Sequence, residues 1–290
     1  MSVKVIAVAA AGALVVLLLV VLVVAILPLL GIGGRQLYKA EVPTPMKDSS
    51  LTPRIAETAK GLWMTYVLLT VACGLCLWWA GLEGWDVVIH AFSIVGLGGF
   101  SNKDASLGHF ANLNVEIVAI VFALLAGLNY ATHYLALTRR STRPYARDPE
   151  IPFYFAVLAF SIVMLTVYLL AQGVFTDVGE ALRYVAFHVV SISTSLGLAT
   201  HDYTLWPMFA QIWILFLGSF VACSGSTGGG IKMMRALLLY KQVYRELIRA
   251  MHPSAVYHVR LGGATAPMTV LFAVLAFAFV YMACIVILTL

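Results

Sequence analysis

HAFSIVGLGGFSNKD, residues 90–104, and HVVSISTSLGLATHD, residues 188–202, are one pattern written twice. In register, His90 falls on His188, Ser93 on Ser191, Ile94 on Ile192, Gly99 on Gly197 and Asp104 on Asp202, all at a single offset of 98 residues. Before each glycine stretch (96–100 and 195–199) stand acids and then an apolar helical run, 86–95 in the first copy and 178–194 in the second. Ten residues of helix reach about 15 Å, half of a hydrocarbon core of about 30 Å. Such a run enters a bilayer without crossing it. The flanking helices repeat at a similar offset, so the unit reads helix, half-helix, glycine turn, helix, and it occurs twice.

A bilayer is the setting that composition demands. The 290 residues are 62% hydrophobic and 11% charged, against about 45–50% and about 25% in soluble domains. Long apolar runs near 5–30, 61–80, 114–137, 151–172, 206–240 and 266–290 are six candidate spans. The first follows Lys4, as a signal peptide would. It exceeds an h-region of about 7–15 residues and no A-x-A site closes it, so it reads as a span. Segments 31–60, 138–150 and 232–260 hold 15 of the 18 basic residues, with Arg139, Arg140, Arg143 and Arg147 in one short loop. These segments alternate along the chain and are therefore cytoplasmic. The outer side keeps Glu83, Asp86, Asp104, Glu116, Asp177, Glu180 and Asp202. An acidic mouth concentrates cations; the positive-inside rule alone also produces much of this asymmetry. Cys73, Cys76, Cys223 and Cys284 all lie in apolar stretches, so the CxxC spacing of the first two reads as buried small residues in a helix.

Physics gives the repeated unit a job. Non-helical backbone at membrane depth is tolerated only inside protein or against water. A half-helix aims its negative C-terminal end at the turn that follows, and glycine permits the angles that align carbonyls there. Carbonyls plus a negative dipole end stabilise a dehydrated cation, which is the logic of a selectivity filter. The competing reading is a re-entrant loop that only packs. His90 and His188, nine residues before their glycines, read as packing behind the loop and not as proton couplers.

The run 225–230 interrupts the fifth span. It mimics a phosphate-binding loop, but Lys232 comes one residue late, no Ser or Thr follows it, and a membrane helix stands where a strand should. Glycines with Ser226 and Thr227 suit a break in a helix instead, the hydroxyls satisfying freed backbone groups. A kink for packing is the plainer alternative. Lys232, at the inner end, snorkels to the interface or repels cations in a closed state. Asn129, Tyr130 and His133 lie on one side of the third span near its inner end, with interhelical hydrogen bonding the first reading and pore lining the second. No HExxH, GxSxG or paired-acid motif sits in a span, which argues against an enzyme.

Several stretches resemble the TrkH-type subunit of the Trk/Ktr/HKT superfamily of potassium transporters. They are ILPLLGIGGRQLYKAE (26–41), PRIAETAKGLW (53–63), GGFSNKDAS (98–106), GLNYATHY (127–134), GSTGGGIK (225–232) and HPSAVYHVRLG (252–262), in order along nearly the whole chain. The resemblance implies an all-α, potassium-channel-like membrane fold, with four pore repeats and one filter loop from each. It places the filter glycines, and with them potassium, at Gly99 and Gly197. The lining carbonyls would come from Leu97, Gly98, Gly99 and Phe100, and from Ser195, Leu196, Gly197 and Leu198. The family commonly has an aromatic where this chain has Leu198.

The family also makes the break, Gly225, Ser226, Thr227, Gly228, Gly229 and Gly230 with Lys232, an intramembrane gate. On this reading 1–36 is the last helix of a preceding repeat, 37–137 and 138–240 are pore repeats, 241–265 is a cytoplasmic loop, and 266–290 opens a further repeat. The expected activity is potassium uptake across the cytoplasmic membrane, with potassium as substrate and no cofactor. The expected partners are membrane lipid, a cytosolic nucleotide-binding regulator at the basic loops (241–260 especially), and a second copy or complementing chain; no nucleic acid is expected. A non-conducting subunit and a sodium-permeable variant are the alternatives. The matches stop in mid-repeat, so the expectation is a fragment.

Overall fold

The computed structural model describes residues 55–252, 259–261 and 264–289. The expected first span, the segment 1–36 and the stretch 26–41 lie outside the described residues.

The first unit opens with α1, Ile55–Trp79, long and apolar enough to span from Gly61. After a turn at Gly81 and Gly84 comes α2, Trp85–Gly96. It is stopped by Leu97 in the left-handed conformation, with Leu97 N–H donating to Ile94 O (3.2 Å) and Gly98 N–H to Ser93 O (2.9 Å), the pairing that satisfies last-turn carbonyls. A 3₁₀ turn, Ser106–Phe110, leads to α3, Leu113–Ala126, whose first turn is capped by the Asn112 side chain on Asn114 N–H. Then the helix breaks. Beyond Gly127 the chain turns by 92° into α4, Tyr130–Arg139, capped by the Asn129 side chain on Ala131 N–H at 2.9 Å. The third expected span is thus two helices. The first is about 21 Å long, and Asn129, Tyr130 and His133 stand at the start of the second, not along one side of a continuous span.

The second unit begins after the short helix α5, Arg143–Arg147. α6, Ile151–Ala171, carries Pro152 in its first turn, where the missing N–H does no harm, and it is long enough to cross. α7, Val178–Ser193, is capped by Asp177 on Glu180 N–H at 2.8 Å. A 3₁₀ turn, Tyr203–Leu205, and Pro207 precede α8, Met208–Gly218. Residues 219–232 are not helical, and α9, Met233–Met251, resumes. Residues 219–232 thus interrupt the fifth expected span, and α9 runs without a stop past residue 240. A two-residue antiparallel hairpin, β1 (Arg260–Leu261) with β2 (Ala264–Thr265), precedes α10, Met268–Thr289, another candidate span.

At about 18 Å and about 24 Å by rise per residue, α2 and α7 fall short of the bilayer core of about 30 Å. Two apolar cores form. One gathers Cys73, Leu77, Ile94, Val115 and Ala119 of the first unit; the other gathers Tyr154, Leu158, Leu165, Val185 and Ile214 of the second. Phe187, Val190, Leu196 and Leu198 of the second unit pack into the first core. Large apolar side chains remain exposed on α1, α6 and α10, among them Leu75, Phe160, Val167, Phe272 and Phe279, as lipid-facing helices require. Trp78, Trp79 and Trp85 crowd the α1–α2 turn, also exposed, where a membrane–water interface favours indole rings.

Candidate ion-conduction site

The two glycine loops share a backbone. Leu97 and Ser195, 98 residues apart, have φ of 51° and 65°; Gly99 and Gly197 have φ of 68° and 76°. Each loop thus has left-handed residues on either side of one that is not. In the second loop Ser195 N–H donates to Ile192 O (3.0 Å), and Leu196 and Gly197 N–H both donate to Ser191 O (2.8 and 3.2 Å). Behind the loops the histidines match as well. His90 Nδ1 pairs with Asp86 O (2.7 Å) and its Nε2 with Ser101 Oγ (3.1 Å). His188 Nδ1 pairs with Tyr184 O (2.8 Å) and its Nε2 with His201 O (2.9 Å). Both rings are fully buried and tie the half-helix to the chain leaving the loop.

The loops meet. A Cβ at Gly99 would overlap the Leu196 carbonyl, so the two backbones come as close as a missing side chain allows. Further out, Ala199 is held on both sides: its N–H donates to Ser106 Oγ (3.1 Å) and its carbonyl accepts from Gly108 N–H (3.1 Å). Leu97, Leu196 and Leu198 are buried, whereas Phe100 is 43% exposed. The Leu198 carbonyl accepts from Ser191 Oγ at 2.6 Å.

Residues 219–232 lie against both loops. Thr227 Oγ1 donates to Val95 O (3.1 Å), as does Tyr130 OH (3.2 Å), and Gly229 N–H donates to Ser195 Oγ (2.8 Å). The same segment is laced to the break in the first unit. Cys223 N–H donates to Gly127 O and Tyr130 N–H to Gly225 O, both at 3.0 Å. Lys232, itself at φ 71°, turns its ammonium back onto the loop, bonding the Gly228 carbonyl and reaching Ser226 O at 3.3 Å. Every expected filter and break residue is therefore in one contiguous region.

Several outer acids have structural work. Glu116, buried, takes a two-pronged bond from Arg183 at 2.7 Å per prong, and Asp177 caps α7. The Asp86 carboxylate accepts from Asn102 (2.5 Å) and pairs with Lys103 (3.1 Å). Burial pushes its carboxyl up, but those two partners and the lysine charge outweigh it and hold it below the usual range. Asp202 is likewise held low by bonds from Thr204. Glu83, Asp104 and Glu180 remain exposed.

Sequence reasoning overlooked Gly127 as a break point and passed over Thr132, Asp148 and Glu150. The readable signal was Gly127-Leu128-Asn129, a helix stop set directly against a helix cap. Two acids inside an arginine-rich cytoplasmic loop were the other.

Half-length helices, paired glycine loops and a broken span within an apolar bundle define a multi-pass membrane protein with the architecture of a transporter or channel. The family model TrkH, described as a cation transport protein, matches residues 10–290. The chain belongs to that family, whose place is the cytoplasmic (inner) membrane. It is 44% identical over 257 residues to the Trk system potassium uptake protein TrkH of Escherichia coli K12, covering 89% of this chain and 53% of that protein. It is 40% identical over 257 residues to TrkG of the same organism, with the same coverage. The crystal structure of the potassium transporter TrkH from Vibrio parahaemolyticus superposes with a TM-score of 0.82 at 37% identity, over 95% of this chain and 56% of that one. The chain thus spans about half the length of the relatives it matches. Their names speak of transport, and none of a catalysed reaction.

Proposed function

We propose that this chain builds two sides of a potassium uptake pore in the cytoplasmic membrane, with potassium as the substrate. One observation carries the reading: two half-helices end in loops with the same left-handed positions, and the loops touch at Gly99 and Leu196. Alternating handedness turns successive carbonyls toward one side, the arrangement that replaces an ion's hydration shell. On this reading the carbonyls of Leu97, Gly98, Gly99 and Phe100, with those of Ser195, Leu196, Gly197 and Leu198, line a filter, and potassium sits at Gly99 and Gly197. Residues 225–230 with Lys232 gate it from the cytoplasmic side. Further loops from a second copy or a complementing chain close the ring, and a cytosolic nucleotide-binding regulator docks on the basic loops. The units 37–137 and 138–240 are then pore repeats.

A sodium-permeable variant is the second reading, favoured by Leu198, whose carbonyl already has a protein donor. Expressed with its neighbouring reading frames in a strain lacking potassium uptake, the gene is expected to restore growth at limiting potassium. Gly99→Ser is expected to lower the potassium-over-sodium preference. An unchanged preference removes this loop from the filter, and the absence of both rescue and ion flux leaves a non-conducting subunit.

A further inference from the structure

The connection from α4 to α6 carries exposed Arg139, Arg140, Arg143 and Arg147, yet it ends in two buried acids, Asp148 and Glu150. A carboxylate leaves water only for good partners. Asp148 Oδ2 accepts from Thr132 Oγ1 at 2.8 Å, just past the break in the first unit, and its Oδ1 accepts from Glu150 N–H at 3.2 Å. Glu150 is 1% exposed, and its Oε2 accepts from Ser224 N–H at 2.8 Å, inside the break of the second unit. Tyr145 OH, on α5, pairs with His133 Nδ1 at 2.7 Å, while His133 Nε2 holds Leu125 O at 2.8 Å. One cytoplasmic strap thus grips both breaks, and only Glu150 reaches residues 219–232 among these contacts.

We propose that Glu150 is a positioning residue for the intramembrane loop. Its carboxylate oxygen pins Ser224 N–H and so ties the resting place of residues 219–232 to the cytoplasmic strap 139–150. A shift of the arginine-bearing surface then reaches the loop directly through this side chain. The proposal deepens the gate reading and rests on it. Its test needs no transport, so the two fail separately.

Cys223, 1% exposed, neighbours Ser224 and reports on the loop; Cys73, fully buried in α1, reports on the bundle. With Cys76 and Cys284 replaced by serine, the full chain in native membranes is alkylated with N-ethylmaleimide, and each site is read by peptide mass spectrometry. Glu150→Asp keeps the charge but draws the oxygen back by about 1.5 Å. It is expected to speed Cys223 labelling about tenfold, the effect of losing one charge-assisted hydrogen bond. Glu150→Gln keeps an acceptor at full reach, neutral and therefore weaker, and is expected to label no more than about threefold faster than the parent. Cys73 labelling is expected to hold constant in both. Parent-like Cys223 labelling in Glu150→Asp, an equal rise in Glu150→Gln, or Cys73 rising in step with Cys223 would each overturn the proposal.

Discussion

Gly99 and Gly197 hold matching positions, yet a methyl group would fare differently at each. At Gly197 a Cβ finds only the Gly99 Cα, at 4.0 Å, so Gly197→Ala adds backbone strain alone, about 1–2 kcal/mol for a left-handed residue. Gly99→Ala adds the same strain and an overlap with the Leu196 carbonyl. Backbone cannot swing aside as a side chain can, so relief costs a further about 1–3 kcal/mol. In rubidium-uptake measurements on the assembled transporter, Gly197→Ala is expected to keep flux near the parent level and Gly99→Ala to lower it severalfold, to a level still measurable. Equal losses would contradict the packing between the loops. Ser191 adds a further hold: its hydroxyl bond to Leu198 O fixes the exit of the second loop.

Helices make their own argument at the α3–α4 bend. A Cβ on Gly127 would lie 2.5 Å from Tyr154 OH and 3.2 Å from Thr194 Cγ2. Gly127→Ala should therefore lower stability by about 1–3 kcal/mol. Tyr154→Phe removes the obstructing oxygen, along with a 3.3 Å bond to Leu124 O. The double variant is expected to be more stable than Gly127→Ala alone, as read by thermal unfolding in detergent; strict additivity would show that the two sites do not meet.

The same bend marks where reading the chain stopped working. The half-helices α2 and α7 were legible because length, flanking acids and the repeat at offset 98 all agreed. α1, α6 and α10 were legible from apolar length, and the break at 219–232 announced itself by its glycines. Residues 114–137 gave fainter notice, a single glycine at 127 two residues before the capping Asn129. Their apolarity is continuous across Gly127, and the fold bends the helix there because Gly127 O and Tyr130 N–H find partners in Cys223 and Gly225, almost a hundred residues on. Glu150 was hidden for a like reason: a carboxylate beside four arginines reads as surface until the tertiary fold buries it. The two glycine loops were legible by type and register, but not the contact between Gly99 and Leu196, which only the packed loops create.

The two units are held together across the outer half by Arg183 on α7 and Glu116 on α3, bonded through both guanidinium prongs. The partners are not equivalent, since the Glu116 side chain is 3% exposed and that of Arg183 is 30%. Arg183→Ala strands a buried carboxylate and is expected to cost about 3 kcal/mol, the low end for a broken buried pair. Glu116→Gln leaves a guanidinium that still reaches water and is expected to cost about 1 kcal/mol or less. Thermal unfolding of the two variants side by side checks the order, and the reverse order would contradict the burial asymmetry. Inside this brace the close fit of Gly99 against Leu196 has a consequence for heredity. A lineage drifting toward a different ion cannot rewrite one loop by itself, because a bulkier residue at 99 is admissible only after the opposite strand has yielded. On the proposed filter reading, selectivity changes should accumulate as matched pairs, one from each loop.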